Sequence, residues 1–270
     1  PSRGLISTVG LVPAGKSLDC LSVMAGCIDD VDRVFDVMAG RDDADPWSRD
    51  RGPRHGGGPI RVGLPPIAEL EFFGDDALRA AHLSFREHLE RLAVIVEVSL
   101  APFLAAGALL YQGPWVAERL VEFGDFLARQ PDSIHPVVRD IFRSGLNYTA
   151  VDAFAALQKL QELKAEVGRL WQTMDVLVVP TIGTTFTVEQ VQANPIECNT
   201  MLGHYTHFGN LLDLLGVAVP LGVTGDGRPY SAMLLGNALS DDTALTLAAR
   251  ILDEPRTTTE VAAAPVEELA

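Results

Sequence analysis

Asp175-Val-Leu-Val-Val-Pro-Thr181 holds an unbroken run of apolar residues, with no polar alternation between them. A strand built from such a run needs cover on both faces, which suits a central strand sandwiched between helices. Upstream, Ile-Arg-Val-Gly-Leu-Pro at 60–65 and the β-branched Val-Ile-Val-Glu-Val-Ser-Leu at 94–100 flank a helical pattern over 75–92. Strand, helix, strand at that length is a βαβ unit with parallel strands. Downstream, VAVPLGVT at 217–224 and YSAMLLG at 230–236 flank Gly225-Asp226-Gly227-Arg228, a hairpin signal. Parallel and antiparallel pairs together predict an α/β fold, a mixed β-sheet layered with α-helices.

Further helices are expected over 30–38, with Val31, Val34, Phe35 and Met38 on one side, over about 100–110, and over 114–129 behind Gly113-Pro114. Thr149-Ala-Val-Asp152 has the form of a capping box, after which Leu157, Leu160, Leu163, Val167 and Trp171 continue as one apolar stripe. A last helix is expected from Asp241 to Leu252 with Ser240 as N-cap, whereas 41–58 is rich in charge, proline and glycine and reads as a loop. Residues 1–252 are therefore one domain or part of one, and 253–270 a linker or disordered tail. The chain opens at Pro1 without a methionine, in a turn that looks structured, as a truncated chain would.

Thirty-six acidic residues against 21 basic ones give a formal net charge of −15, which repels a polyanion and excludes nucleic acid as a partner. Only Lys16, Lys159 and Lys164 are lysines. Three cysteines, Cys20, Cys27 and Cys198, lack C-x-x-C spacing and read as reduced thiols rather than a disulfide framework or zinc knuckle. No apolar run is long enough to span a membrane, so the default location is cytoplasmic.

Several familiar chemistries find no support. No serine sits in a G-x-S-x-G elbow, and Gly56-Gly57-Gly58 is not followed by the lysine of a phosphate loop. His204-x-x-His207 has helical spacing for two metal ligands, but no third ligand is indicated, and two polar helix residues are the commoner outcome. Cys198 served by His204 is a thin candidate nucleophile beside the plain reading of a buried thiol. Lys164, near its helix's apolar stripe, is either a desolvated base or, more commonly, a lysine with a packed stem and a wet ammonium.

The most informative stretch is Leu-Leu-Tyr-Gln-Gly-Pro-Trp-Val-Ala-Glu-Arg-Leu at 109–120. On a helix from Pro114, Val116, Leu120, Phe123 and Leu127 share a stripe, Glu118 points almost opposite, and Arg119 stands at the border. A border arginine can grip a carboxylate with two parallel hydrogen bonds, and Tyr111 can add a phenolic hydroxyl. Taken alone, such an arginine more often makes a surface salt bridge.

GLISTVGLVPAGKSLDC at 4–20, LLYQGPWVAERL at 109–120, VLVVPTIGTTFTVEQVQANPIECNTMLGHYTHFGNLLDLLGVAVPLG at 176–222 and the GRPYSAMLLG after it resemble, in that order, the allophanate hydrolases of the amidase signature family. The resemblance runs from Pro1 to about Leu252 and implies the later part of an amidase domain. It implies a C-N amide hydrolase that opens the terminal amide of allophanate in urea or cyanurate breakdown, through an acyl-enzyme. No metal or organic cofactor is implied, and the assembly is expected to be a homodimer. The family's Ser, cis-Ser and Lys triad precedes the segment matching Pro1, so no catalytic residue is carried over, Lys16 included, and the chain alone is expected to be inactive. Tyr111 and Arg119 match the substrate-binding pair that would hold the allophanate carboxylate. Val9, Gly15-Lys16, His204 and His207 depart from the family pattern. The rival readings are an amidase for another small carboxylated amide, or a non-catalytic protein that binds an anion or pairs with an intact subunit.

Overall fold

The computed structural model describes residues 1–111 and 113–253. A long irregular segment leads into α1 (Ile28–Met38), and β1 (Arg61–Leu64), α2 (Asp76–Leu89) and β2 (Val94–Glu97) follow. Next come α3 (Ala101–Tyr111), α4 (Arg119–Arg129), α5 (Pro136–Ser144) and the long α6 (Ala150–Leu170). The central strand β3 (Val176–Pro180) precedes the short α7 (Val188–Ala193) and α8 (Pro195–Leu202), the hairpin β4 (Leu215–Val223) and β5 (Pro229–Gly236), and α9 (Asp241–Leu252).

One sheet runs in the order β2-β1-β3-β5-β4. β1 pairs parallel with β2 and β3, while β5 pairs antiparallel with β3 and β4. The expected βαβ unit, hairpin and mixed sheet are thus all present. Every residue of β3 is buried, and its alternation divides the interior. Val176 and Val178 join a core with Val62, Leu64, Leu234 and Ala248. Leu177 and Val179 join a second core with Phe103, Leu160, Leu163, Tyr205 and Phe208. Each such side chain removed from water is worth about 1.5–3 kcal/mol, so neither face of β3 can go uncovered.

The hairpin is fastened at its tip. The Arg228 guanidinium donates to both oxygens of Asp75 at 2.6 and 2.8 Å, and Asp75 also accepts from Leu78 N at 3.0 Å as the N-cap of α2. Arg228 accordingly holds the Asp75 carboxyl below the usual carboxylate range. Along the ladder the register shifts between Pro220 and Gly222, as expected where a proline offers no N–H.

Several details differ from the sequence reading. Residues 114–118 form a 3-10 turn, and α4 begins only at Arg119. In α1 the inner side is Ile28, Asp32 and Phe35, while Val34 and Met38 face out. In α6 the buried stripe is Ala156, Leu160, Leu163 and Val167, and Leu157 is 47% exposed. The capping box is present, with Thr149 N donating to Asp152 at 2.8 Å and Asp152 N to Thr149 Oγ1 at 3.2 Å. Ser240 occupies the N-cap position of α9, but its hydroxyl donates to the Asn237 carbonyl instead of capping. The expected tail falls, beyond Asp253, outside the described residues.

His82 lies fully buried in α2, with Nδ1 2.8 Å from the Tyr230 hydroxyl and Nε2 without a hydrogen-bond partner among the described residues. Burial, with a smaller contribution from Arg86, pushes its pKa down to about 3. The ring is therefore neutral in the fold but takes a proton in the unfolded chain below its ordinary value of about 6.5, so stability falls as the pH drops from there toward 3. Chemical denaturation at pH 7 and pH 5 should show a loss of about 2 kcal/mol that a His82→Gln variant lacks. Equal losses in both proteins would place the acid sensitivity elsewhere.

Candidate active site

Arg119 is positioned by what surrounds its backbone. Gly113 opens the 3-10 turn where a Cβ would run into the Leu109 carbonyl. Val116 is buried beneath the turn. Gly145 packs so closely on its other side that a Cβ would lie 2.9 Å from Ala117 Cα and 3.1 Å from the Val116 carbonyl oxygen. Glycine is thus required on both sides of the junction from which Arg119 starts α4, half-buried. Tyr111 closes α3 on the other side of the same turn.

Glu118 does not face away from this site. Its Oε1 accepts the Ser17 backbone N–H at 2.7 Å and its Oε2 the Ser17 hydroxyl at 2.7 Å. The Gly15–Asp19 loop it grips is held from three more directions. Asp19 accepts the Ala14 and Gly15 N–H groups at 3.0 and 3.1 Å, Asn210 Nδ2 donates to the Leu18 carbonyl at 2.6 Å, and the Arg3 guanidinium donates to the Ser17 carbonyl. The carboxylate of Glu118, one residue before Arg119, therefore joins α4 to a loop 101 positions away in the chain. Lys16 sits on the outside of this loop, its ammonium 3.9 Å from Glu122 and its side chain 60% exposed, which is a surface ion pair and no buried base.

Behind the loop, charge accumulates. Arg49 donates to both oxygens of Asp213 at 2.8 and 3.0 Å, Arg3 approaches the same carboxylate at 3.6 Å, and Arg49 also donates to the Arg3 carbonyl. Asp213 holds this position in the left-handed region at φ 58°. Half-buried Lys164 feels Asp213 and Arg3, and burial lowers its pKa more than Asp213 raises it. Three cations, Arg3, Arg49 and Lys164, thus gather around the Asp213 carboxylate behind the Ser17–Glu118 tie.

The other residues singled out from sequence do not assemble into chemistry. His204 and His207 lie in a run of turns after α8, not on a helix. His204 meets Phe73 and Tyr205 edge-on, with centroids 5.5 and 4.7 Å away, and burial lowers its pKa. Tyr205 itself is fully buried and exchanges hydrogen bonds with the backbone of Glu71 at 2.7 and 2.9 Å. Cys198 is a buried free thiol whose Sγ lies 3.6 Å from the Gln190 carbonyl. Among the described residues no three His, Cys, Asp or Glu side chains gather as a metal site would need.

The model of the family described as Amidase matches residues 1–245. The chain belongs to the amidase family. It is 35% identical to the urea amidolyases of Lachancea kluyveri and Saccharomyces cerevisiae, in each case over 93% of its own length and 14% of theirs. The structure of Kluyveromyces lactis allophanate hydrolase superposes with a TM-score of 0.88 at 34% identity, covering 94% of this chain and 42% of that one. The 6-aminohexanoate cyclic dimer hydrolase, at 17% identity and a TM-score of 0.66 over 85% of this chain and 53% of its own, shares the fold. This amidase chain thus spans less than half of the allophanate hydrolase structure and about a seventh of the curated urea amidolyases.

The tie between Glu118 and Ser17 has a measurable consequence. Glu118→Ala leaves the Ser17 N–H and hydroxyl without their charged acceptor and should cost about 1–3 kcal/mol in urea denaturation, while Ser17→Ala removes one of the two bonds and costs less. In the double variant the losses should fall short of additive by about 1 kcal/mol. Strict additivity would show that the two side chains act independently.

Proposed function

We propose that the intact protein carrying this chain is an allophanate hydrolase, and that Arg119 and Tyr111 bind the carboxylate of its substrate. The observation that carries the reading is the 34–35% identity, over nearly the whole chain, to proteins named urea amidolyase and allophanate hydrolase. The position of Arg119 supports its share in it. Arg119 is half-buried beside Glu118, whose carboxylate is tied to Ser17, and an arginine's planar fork can pair with a carboxylate in two parallel hydrogen bonds.

In this reading the carboxylate end of allophanate is anchored and its terminal amide is presented for acyl transfer. The amide nitrogen leaves as ammonia, and water then releases the acyl group from the enzyme. A wrongly placed amide would lose the benefit of proximity, so the anchor contributes to rate as well as to affinity. The protein acts as a cytoplasmic homodimer on a small-molecule substrate. The free thiols of Cys20, Cys27 and Cys198 support a reducing location, and no described helix is long and apolar enough to cross a membrane.

Steady-state kinetics on the intact enzyme test the carboxylate assignment. Arg119→Ala should lower kcat/KM on allophanate about 30-fold or more, the equivalent of roughly 2–5 kcal/mol for an unpaired substrate charge. Arg119→Lys should restore little, because an ammonium cannot reproduce the two parallel bonds. Turnover of a neutral amide without the carboxylate should hardly change. Equal losses on both substrates in a folded protein would make Arg119 architectural.

A further inference from the structure

The Arg119 side chain springs from a change of helix type. Residues 114–118 are a 3-10 helix and α4 begins at Arg119, so Glu118 is the last residue of one and the N-cap of the other. A 3-10 helix turns by about 120° per residue and an α-helix by about 100°. If the boundary slips by one residue, every side chain beyond it swings by about 20° around the axis. At a side-chain radius of about 5–6 Å that is a sideways shift of about 2 Å, whereas a binding constellation tolerates roughly 0.5 Å and 10–20°. The direction of Arg119 therefore depends on what holds the boundary in place.

Helix ends exchange 3-10 and α turns readily, so the backbone alone does not hold it. The Glu118 side chain does not cap α4 either. Both of its oxygens go to Ser17, one to the N–H and one to the hydroxyl, each at 2.7 Å. Two charge-assisted bonds from one carboxylate to one residue fix direction as well as distance. Ser17 is a firm anchor, because the Leu18 and Asp19 N–H groups both bond the Gly15 carbonyl, at 2.7 and 2.9 Å, and give the loop a helical turn of its own. On the far side of the junction Gly145 leaves Ala117 almost no clearance, and Phe123, one turn beyond Arg119, stacks on Phe142 with centroids 5.4 Å apart. The chain is thus gripped both before and after Arg119, and Glu118 is the grip at the boundary itself.

We propose that Glu118, by gripping Ser17, is the positioning residue that aims Arg119 at the substrate carboxylate, a role that rests on the binding function proposed for Arg119 above. Glu118 itself touches no substrate. It works through its two hydrogen bonds and not through its charge, and so a neutral side chain of the same shape that keeps both bonds can replace it. The half-buried setting of both partners makes the tie stronger than an exposed polar contact would be.

Kinetics of the intact enzyme on allophanate and on a neutral amide without the carboxylate test it, read as the ratio of the two kcat/KM values. Glu118→Ala should lower that ratio about 10-fold or more, chiefly by raising KM for allophanate, and leave the neutral amide within about 3-fold. Glu118→Gln should keep the ratio within about 3-fold, because its carbonyl oxygen still accepts the Ser17 N–H and its amide donates to the Ser17 hydroxyl. Ser17→Ala retains only the N–H bond and should fall between the two, which keeps the test decisive if Glu118→Ala does not fold. A ratio unmoved by Glu118→Ala and Ser17→Ala, or equal losses on both substrates, would overturn the positioning role while Arg119→Ala still lowers the ratio. Glu118→Gln as poor as Glu118→Ala would assign the effect to charge and overturn it too. A ratio unmoved even by Arg119→Ala would sink the carboxylate reading and the positioning role with it.

Discussion

Everything in this fold answers to the burial of β3 on both sides. Five consecutive buried residues leave no face for solvent, so side chains from Val176 to Val179 must point alternately into two separate cores. One core is closed by α2 and α9, and the other takes its cover from α3, α6 and the turns at 203–214. The chain between β2 and β3 is committed to that second core. Of its helices, α3 and α6 pack on the sheet's second face, and the 3-10 turn at 114–118 is the corner between α3 and α4. Arg119 stands at that corner because Gly113 and Gly145 let the backbone turn there with almost no clearance.

The N-terminal segment completes the corner. It has little regular structure, yet it is stitched down by side chains: Ser2 to Asp241 at 2.6 Å, Thr8 to Asp45 at 2.7 Å, and Ser17 to Glu118 at 2.7 Å. Irregular backbone cannot pair with itself, so its polar groups find carboxylates on the elements it crosses. That stitching draws Arg3 and the Gly15–Asp19 loop toward the α4 corner, and with them the cationic cluster around Asp213.

Patterns with a local cause were legible in the sequence. The continuous apolar run of β3, the βαβ unit, the Gly-Asp-Gly hairpin turn and the Thr149–Asp152 capping box each depend on neighbours within a few positions, and each is present. Features set by distant partners were not legible. Glu118 looked like a solvent-facing helix residue because its partner Ser17 lies 101 positions away and the helix gives way to a 3-10 turn. Leu157 looked like core because periodicity cannot tell which side of a helix with apolar residues on two faces will be covered. His204 and His207 looked like helix residues because spacing alone does not reveal that the chain leaves α8 at Gly203. Of the candidate site, the motif that contains Tyr111 and Arg119 was readable, and the ties that fix it were not.

Arg119 as the anchor for a carboxylate is the centre of the functional reading. A crystal structure of the full-length protein soaked with a small dicarboxylate tests that most directly. One carboxylate should lie in the plane of the Arg119 guanidinium, with two N···O distances of about 2.7–2.9 Å, and the Glu118 bonds to Ser17 should be undisturbed. A carboxylate bound elsewhere, with the Arg119 fork turned away from it, would contradict that role.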